Sequence, residues 1–148
     1  MGENDNQNIE EIIGDHNGGF IQIDNENNLT FSTARYYLLS WMVEALRRRT
    51  RILPRGIDLR LILQFFNGDD QKSVYFDSVV TRRKSNPFNF RRAYNFMMDI
   101  SRQYGACKIY CHPLNDRLAE FLNEQGWDWD LDSRWPDKEC KLYLRERA

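Results

Sequence analysis

The segment HPLNDRLAEFLNEQGWDWD, residues 112–130, constrains the fold of this chain more than any other. Asn115 can cap a helix, and Gly126 can end it in the left-handed conformation. Between them, three apolar side chains fall on one helical face: Leu118, Phe121 and Leu122. The run ACKIYCH before the helix predicts a short strand. Residues 106–130 therefore predict a strand followed by a helix that packs on a sheet.

The rest of the chain supplies the other elements of such a sheet. One β-hairpin is predicted over residues 20–31, and a second joins IDLRLILQFF to SVYFDSVV through NGDDQK. A helix is predicted for ARYYLLSWMVEALRRR, and another for FNFRRAYNFMMDISRQYG, which Asn86 or Asn89 can start and Gly105 can end. ECKLYLR alternates like a strand with one buried face. The predicted order is β-β-α-β-β-α-β-α-β.

The composition fits one folded domain behind a polar arm. Hydrophobic residues make up 41% of the 148 residues and aromatic residues 14%, which excludes a disordered chain. Residues 1–19 are rich in Asn, Asp, Glu and Gly and cannot form a core alone. We therefore predict an N-terminal arm over residues 1–19 and a single domain over residues 20–148.

The formal charge of -1 conceals a basic middle between acidic ends. Residues 45–92 hold twelve Lys or Arg and four Asp, whereas residues 1–44 hold eight acidic residues and one Arg. Binding of phosphate or RNA through residues 82–92 is one interpretation, and charge balance within the fold is the other. Acidic residues separate the Trp residues of WDWDLDSRW and would repel nucleic acid, so we do not expect nucleic acid as the partner.

The sequence predicts a location without membrane spans or disulfides. No apolar run reaches the roughly 20 residues of a membrane helix, and the N-terminal segment lacks a signal-peptide pattern. Three cysteines, an odd number, indicate free thiols in a reducing compartment. Cys107 and Cys111 share a strand face that His112 does not, so we expect no metal site.

The helix from Asn115 to Trp127 resembles the fourth helix of the GNAT-type acyltransferase superfamily, whose pattern is N-x-x-A-x-x-[FL]-Y-E-x-x-G-F. The residues at the pattern's positions are Asn115, Leu118, Phe121, Leu122, Asn123, Gly126 and Trp127. The resemblance covers residues 20–145. It implies an α/β (α+β) fold with a mixed, mostly antiparallel central sheet flanked by helices.

Two departures from that family bear on activity. The family's acyl-CoA loop carries glycines whose amides hold the diphosphate, whereas the aligned TRRKSNPFNFRRAY contains none. In addition, Leu122 occupies the position of the tyrosine that many members use as general acid. We therefore expect no ordinary diphosphate cradle and no proton donor at that position.

These departures predict a scaffold. The chain resembles small degenerate members of the family encoded by bacteriophages, including short internal virion proteins. We expect a non-catalytic assembly component, in the cytoplasm or inside a virus particle, that takes no cofactor. The arm and three aromatic side chains are the candidate contacts to a protein partner: Phe88, Phe90 and Trp129.

The alternative is an acyl-CoA-dependent N-acetyltransferase with an atypical loop. In that case Asp77 is the candidate general base and Tyr75 assists it. The cofactor would be acetyl-CoA, and the resemblance places four residues beside it: Arg82, Arg83, Lys84 and Asn115.

Overall fold

A computed structural model describes residues 12–13, 18–34, 53, 55–68, 71–82, 84–113, 116–129 and 139–144. Two helices are described, and their bounds are α1 (Pro87–Tyr104) and α2 (Asp116–Glu124). Seven strands form one sheet in the order β2-β1-β3-β4-β5-β7-β6. The strands are β1 (Gly18–Asp24), β2 (Leu29–Ala34), β3 (Ile57–Asn67), β4 (Lys72–Thr81), β5 (Lys108–Cys111), β6 (Asp128–Trp129) and β7 (Cys140–Tyr143). Every neighbouring pair is antiparallel except β4 and β5, which confirms the predicted mixed, mostly antiparallel sheet.

The first hairpin forms as predicted, because its turn satisfies its own backbone. The Asp24 carboxylate accepts hydrogen bonds from the amides of Glu26 and Asn28, which lower the Asp24 pKa. Asn27 adopts a positive φ of 66°, a conformation that asparagine tolerates better than most residues. In β1, a Cβ atom at Gly19 would lie 2.6 Å from the carbonyl oxygen of Ser32. The close approach of β2 therefore requires glycine at this position.

The main core lies on one face of the sheet, beneath α1. Alternate residues of β1 and β3 enter it together with one face of the helix. The buried members from these three elements are Ile21, Ile23, Leu59, Leu61, Leu63, Phe65, Ala93, Tyr94, Met97, Met98, Ile100 and Tyr104. The intervening residues of β1 and β3 consequently lie on the opposite face, which we call the distal face.

The ends of α1 follow the predicted capping chemistry. Asn86 accepts a hydrogen bond from the Phe88 amide through its side chain, and Pro87 occupies the first turn. Gly105 ends the helix with a φ of 87°. The predicted helix over residues 87–105 is therefore confirmed at both ends.

The helix α2 brings Trp127 into the core. Gly126 adopts a φ of 95°, and Leu122 is fully buried. Trp127 then turns back, and its Nε1 donates a hydrogen bond of 2.8 Å to the hydroxyl of Tyr94 on α1. Gly126 and Trp127, which follow α2, thus join this helix to α1 through a buried polar contact.

Several predictions differ from the structure or lie outside it. Strand β6 was not predicted, because two residues are too few for a periodic signal. Strand β1 begins at Gly18, inside the predicted arm, and Ile13 of that arm is buried in the core. The predicted helix over residues 34–49 lies outside the described residues except for Ala34, which ends β2, and the cap at Asn115 also lies outside them.

Candidate functional site

The pairing between β4 and β5 covers only part of β4. Ser73 to Tyr75 pair in parallel with Lys108 to Tyr110, and β3 accompanies β4 along its length. From Phe76 to Thr81, no strand in the described ranges pairs with β4 on the β5 side. This edge of β4 and the end of β5 form an opening in the sheet, which we call the wedge. Unpaired strand edges offer backbone donors and acceptors to a ligand.

A β-bulge in β4 lies at the start of the wedge. Ile62 of β3 pairs with Ser78, and Leu63 pairs with Phe76, so Asp77 is the extra residue. A bulge bends its strand and changes the direction of the side chain it carries. The predicted base Asp77 therefore lies where β4 stops pairing with β5, two residues after the last paired residue.

The Asp77 carboxylate is held in place by the neighbouring strand. Gln64 of β3 donates a hydrogen bond of 2.5 Å from its Nε2 to the Asp77 Oδ2. Gln64 pairs opposite Tyr75, and both residues belong to the distal face. The two residues predicted from the sequence as catalytic candidates, Asp77 and Tyr75, thus lie in one polar neighbourhood of that face.

His112, the residue directly after β5, joins this neighbourhood. Its Nδ1 lies 3.1 Å from the hydroxyl oxygen of Tyr75, within hydrogen-bonding distance. Its Nε2 lies 3.6 Å from Glu139 Oε2, close enough for an ion pair when the imidazole is protonated. The His112 side chain is 38% exposed and can therefore exchange protons with solvent. Tyr75, His112 and Glu139 form a connected polar chain beside the wedge.

Tyr110 completes the aromatic wall of the site. Its ring centroid lies 5.0 Å from that of Tyr75, and the centroid of the His112 ring lies 5.7 Å from that of Tyr75. Burial, reinforced by the negative charge of Glu139, raises the pKa of Tyr110. Its hydroxyl is therefore kept neutral, and the wall carries no added negative charge near neutral pH.

His112 and Glu139 were not predicted as site residues. His112 was considered only together with the cysteines, although its position two residues after Tyr110 places the two side chains on the same face. This two-residue spacing could have identified His112 as a neighbour of Tyr110. Glu139 comes from the segment before β7, and no pattern in the sequence connects it to β5.

The backbone amides around the start of α1 are largely occupied. The amides of Arg82, Ser85, Phe88 and Asn89 each donate a hydrogen bond within the chain, and Pro87 has no amide hydrogen. The Asp58 carboxylate holds this loop, because its Oδ2 accepts hydrogen bonds from Ser85 Oγ at 2.9 Å and from Asn89 Nδ2 at 2.8 Å. These amides do not fit a diphosphate as a glycine-rich loop does, in agreement with the sequence.

The loop before α1 instead presents cationic side chains. Arg82, Lys84, Arg91 and Arg92 are exposed around the start of α1. Arg82 also donates to the carbonyl of Ile57, and Arg92 donates to that of Asn27, so two of the guanidinium groups are anchored. The described residues therefore fit a diphosphate through cationic side chains and not through a backbone cradle.

The remaining predicted site residues are distributed differently. Phe88 is 72% exposed, whereas Phe90 packs on the core and contacts Phe121 edge to face. Trp129 belongs to β6, and its side chain lies outside the described residues. Arg83 and Asn115 also lie outside them.

Two further observations concern metals and membranes. Within the described ranges, no three His, Cys, Asp or Glu side chains are grouped so that they could bind a metal ion. Neither described helix is long and apolar enough to span a membrane.

Solved structures with the same architecture include a NatC complex bound to Gag peptide and CoA. It matches with a TM-score of 0.50 and 8% identity over 83% of this chain and 86% of that chain. N-acetylglutamate synthase from Neisseria gonorrhoeae, complexed with coenzyme A and N-acetyl-glutamate, matches with a TM-score of 0.47 and 10% identity over 75% of this chain and 33% of that one. AtaTR bound with AcCoA matches with a TM-score of 0.46 and 15% identity over 72% and 76%. No protein-family model and no curated protein matches.

The comparison confirms the predicted GNAT-type fold, and at these identities the likeness concerns the fold alone. It also corrects one prediction. The expectation that the chain takes no cofactor is contradicted by the NatC complex, a structure of the same fold that is bound to CoA, and we withdraw it.

Proposed function

We propose that this chain is an acyl-CoA-dependent N-acyltransferase whose reaction takes place at the wedge. The observation that supports this most strongly is a coincidence of three features. The bulge at Asp77, the last β4–β5 pair and the contact between Tyr75 and His112 all lie at one point of the sheet. Scaffolding alone would not require a bulged carboxylate beside a histidine-tyrosine pair.

The acyl-CoA supplies an activated acyl thioester when it is bound. Arg82, Lys84 and Arg91 are the described residues that would hold its diphosphate, by charge and at the positive end of α1. The resemblance to the GNAT-type family implies Arg83 and Asn115 as two further contacts. We expect binding to be weaker and more sensitive to salt than in proteins with a backbone cradle.

The polar chain beside the wedge handles the proton of the acceptor amine. An amine must lose a proton as its nitrogen forms the new bond, and imidazole is the usual acceptor near neutral pH. The bond from nitrogen to the acyl carbon would form as the carbon–sulfur bond breaks, and the departing thiolate would take a proton from solvent to leave as the free thiol. We assign the amine proton to His112 Nδ1, passed through the Tyr75 hydroxyl 3.1 Å away. Glu139 stabilises the imidazolium that results. Asp77, held by Gln64, attracts and orients the amine.

A transfer assay with variants tests this proposal. Acetyl-CoA is supplied with a panel of primary amines, and free thiol is measured. His112→Ala should lower kcat by roughly 10²-fold or more, the usual worth of a general base. Tyr75→Phe should lower kcat with less effect on KM. Asp99→Asn, which alters an exposed carboxylate on the far end of α1, is the matched control. Full activity in His112→Ala would contradict the assigned role.

The scaffold interpretation makes the opposite forecast for the same experiment. It is favoured by one described feature, the exposed Phe88 at the start of α1. If acetyl-CoA neither binds nor reacts, and a protein partner is retained only when residues 1–19 are present, the scaffold replaces the enzyme. Docking through that arm stays a prediction, since most of it lies outside the described residues.

A further inference from the structure

Arg60 is a buried cation on the distal face. It lies in β3 between Leu59 and Leu61, which both enter the main core, so its side chain projects to the opposite side. It pairs with Val80, in the part of β4 that borders the wedge. Only 8% of Arg60 is exposed. A guanidinium so deeply buried normally has an anionic partner.

The described partners of Arg60 are neutral. Its Nε donates a hydrogen bond of 2.7 Å to the side-chain oxygen of Gln22, and its Nη2 donates to the same oxygen. The ring centroid of Phe20 lies 5.0 Å from the guanidinium carbon. No carboxylate in the described part of the chain forms an ion pair with it. Burial alone lowers the pKa of Arg60, consistent with a cation that lacks a compensating charge.

Among the described residues, Gln22 is the hydrogen-bond acceptor of Arg60, and it engages one edge of the guanidinium. Gln22 occupies the edge formed by Nε and Nη2, so the edge formed by Nη1 and Nη2 keeps its donors. Two parallel N–H groups on that edge match the two oxygens of a carboxylate. Gln22 thus fixes the orientation of the guanidinium and does not neutralise its positive charge.

Ser78 provides a second, independent indication of a ligand at the same place. Its Oγ is buried and has no hydrogen-bond partner among the described residues. Ser78 pairs with Ile62, two residues along β3 from Arg60, so Ser78 and Arg60 are diagonal neighbours on the distal face. Such neighbours lie about 7 to 8 Å apart. A buried hydroxyl without a partner is costly, and an incoming oxygen would satisfy it.

We propose that Arg60 and Ser78 form a carboxylate-binding subsite beside the wedge, so that the acyl acceptor is an amine that also carries a carboxylate. The acceptor role rests on the proposed function, whereas the anion site stands on the contacts of Arg60 and Ser78 alone. Arg60 binds the carboxylate through its free edge, and the Ser78 hydroxyl contributes one more hydrogen bond.

The test follows the Arg60 Nε–H resonance by nitrogen-15 NMR, with the signal identified by its loss in Arg60→Lys. The probes are N-acetylglycine, N-acetylglycinamide and inorganic phosphate at constant ionic strength. N-acetylglycine should shift the signal saturably and bind at least roughly tenfold more tightly than the amide. The exposed Arg102 should show no saturable shift. Equal effects of acid and amide, no shift, or tighter binding of phosphate would each overturn the carboxylate subsite.

An activity measurement tests the role of Arg60 in acceptor binding separately from the NMR titration. Arg60→Lys keeps the charge but loses the forked donors, so it should raise KM for carboxylate-bearing amines by roughly tenfold and leave neutral amines unchanged. If the Arg60 signal responds but no amine is acylated, the subsite stands and the proposed function fails. Acylation without a response of Arg60 refutes the subsite only. If Arg60→Lys does not fold, the Arg60 Nε–H signal is assigned in the wild-type protein by triple-resonance experiments, and the comparison of acid with amide still decides the matter.

Discussion

The hydrogen bond between Trp127 and Tyr94 is the buried polar contact on which the packing of α2 depends. Trp127 is 1% exposed and Tyr94 is 4% exposed, so neither polar atom can turn to water if its partner is removed. Burial raises the pKa of Tyr94, and the hydrogen bond from the Trp127 indole opposes that effect. The contact unites two residues that lie 33 positions apart in the sequence.

Tyr94→Phe should therefore destabilise the protein by about 1 to 3 kcal/mol, because the Trp127 N–H remains buried without an acceptor. Tyr104→Phe is the matched control. Tyr104 is also buried, but its hydroxyl takes part in none of the hydrogen bonds of the described residues. Urea unfolding at neutral pH measures both. Equal losses in the two variants would show that the indole contact contributes nothing specific.

The thiol of Cys111 makes stability depend on pH. Cys111 lies opposite Cys140 on neighbouring strands, and the hydrogen bond to Cys140, followed by burial, raises its pKa. The folded state thus retains a proton that the unfolded chain loses above its ordinary pKa of 9.0. The contribution to stability is complete below that pH and is lost progressively as the pH rises further.

We predict that the free energy of unfolding falls between about pH 8 and about pH 10, by up to about 1.4 kcal/mol per pH unit from this group. Cys111→Ala should be less stable at neutral pH and show a shallower decline, whereas Cys107→Ala should keep the wild-type slope. Urea unfolding at several pH values provides the slopes. If the free energy of unfolding falls as steeply with pH in Cys111→Ala as in the wild type, groups other than the Cys111 thiol cause the decline.

At the scale of elements, Asp58 connects three parts of the chain. It is the extra residue of a bulge in β3, since Ile23 pairs with Leu59 and Asp24 pairs with Ile57. Its carboxylate holds Ser85 in the loop and Asn89 in α1, and Asn89 also donates to Asn27 in the first hairpin. The bulge in β3 thus positions the start of α1, as the bulge in β4 positions Asp77.

Asp58→Ala removes the acceptor of two hydrogen bonds and should lower stability by about 1.5 to 3 kcal/mol. It should also weaken acetyl-CoA binding several-fold, because Arg82 and Lys84 lose their anchored loop. Asp128→Ala, which changes an exposed carboxylate on β6, is the control. Thermal unfolding and calorimetry measure the two effects. Wild-type acetyl-CoA affinity in a folded Asp58→Ala protein would show that the loop held by Asp58 does not contribute to acetyl-CoA binding.

The limits of sequence-based prediction are visible in these same elements. The caps of α1 could be predicted, since Asn86 and Gly105 act on their own backbone. The bulges could not, because a one-residue shift depends on the partner strand and leaves the alternation of β4 almost unchanged. The residues of the candidate site divide in the same way, into those that could be predicted from their own strand and those that depend on neighbouring strands. Asp77 and Tyr75 were found from their own strand, whereas the contacts of His112 and Glu139 arise only when β5 and β7 assemble.

At the scale of the molecule, the fold combines a closed core with an open part of the sheet. The core face beneath α1 is built from apolar side chains, while the distal face holds the buried Arg60, the Asp77 carboxylate and the Tyr75–His112 pair. Polar groups are costly to bury unless they are hydrogen-bonded or paired with an opposite charge. Their concentration beside the unpaired part of β4 is the reason for proposing a reaction at the wedge.

The most direct test of acyl-CoA binding in the wedge is a backbone amide NMR titration with acetyl-CoA at moderate salt. We predict saturable shifts for Phe76–Thr81 of β4 and for Lys108–Cys111 of β5. At higher salt the same shifts should be reached, but at higher concentrations of acetyl-CoA, because the cationic side chains hold the diphosphate less tightly. Shifts confined to residues 82–92 that disappear with salt, or no shifts at all, would contradict the account.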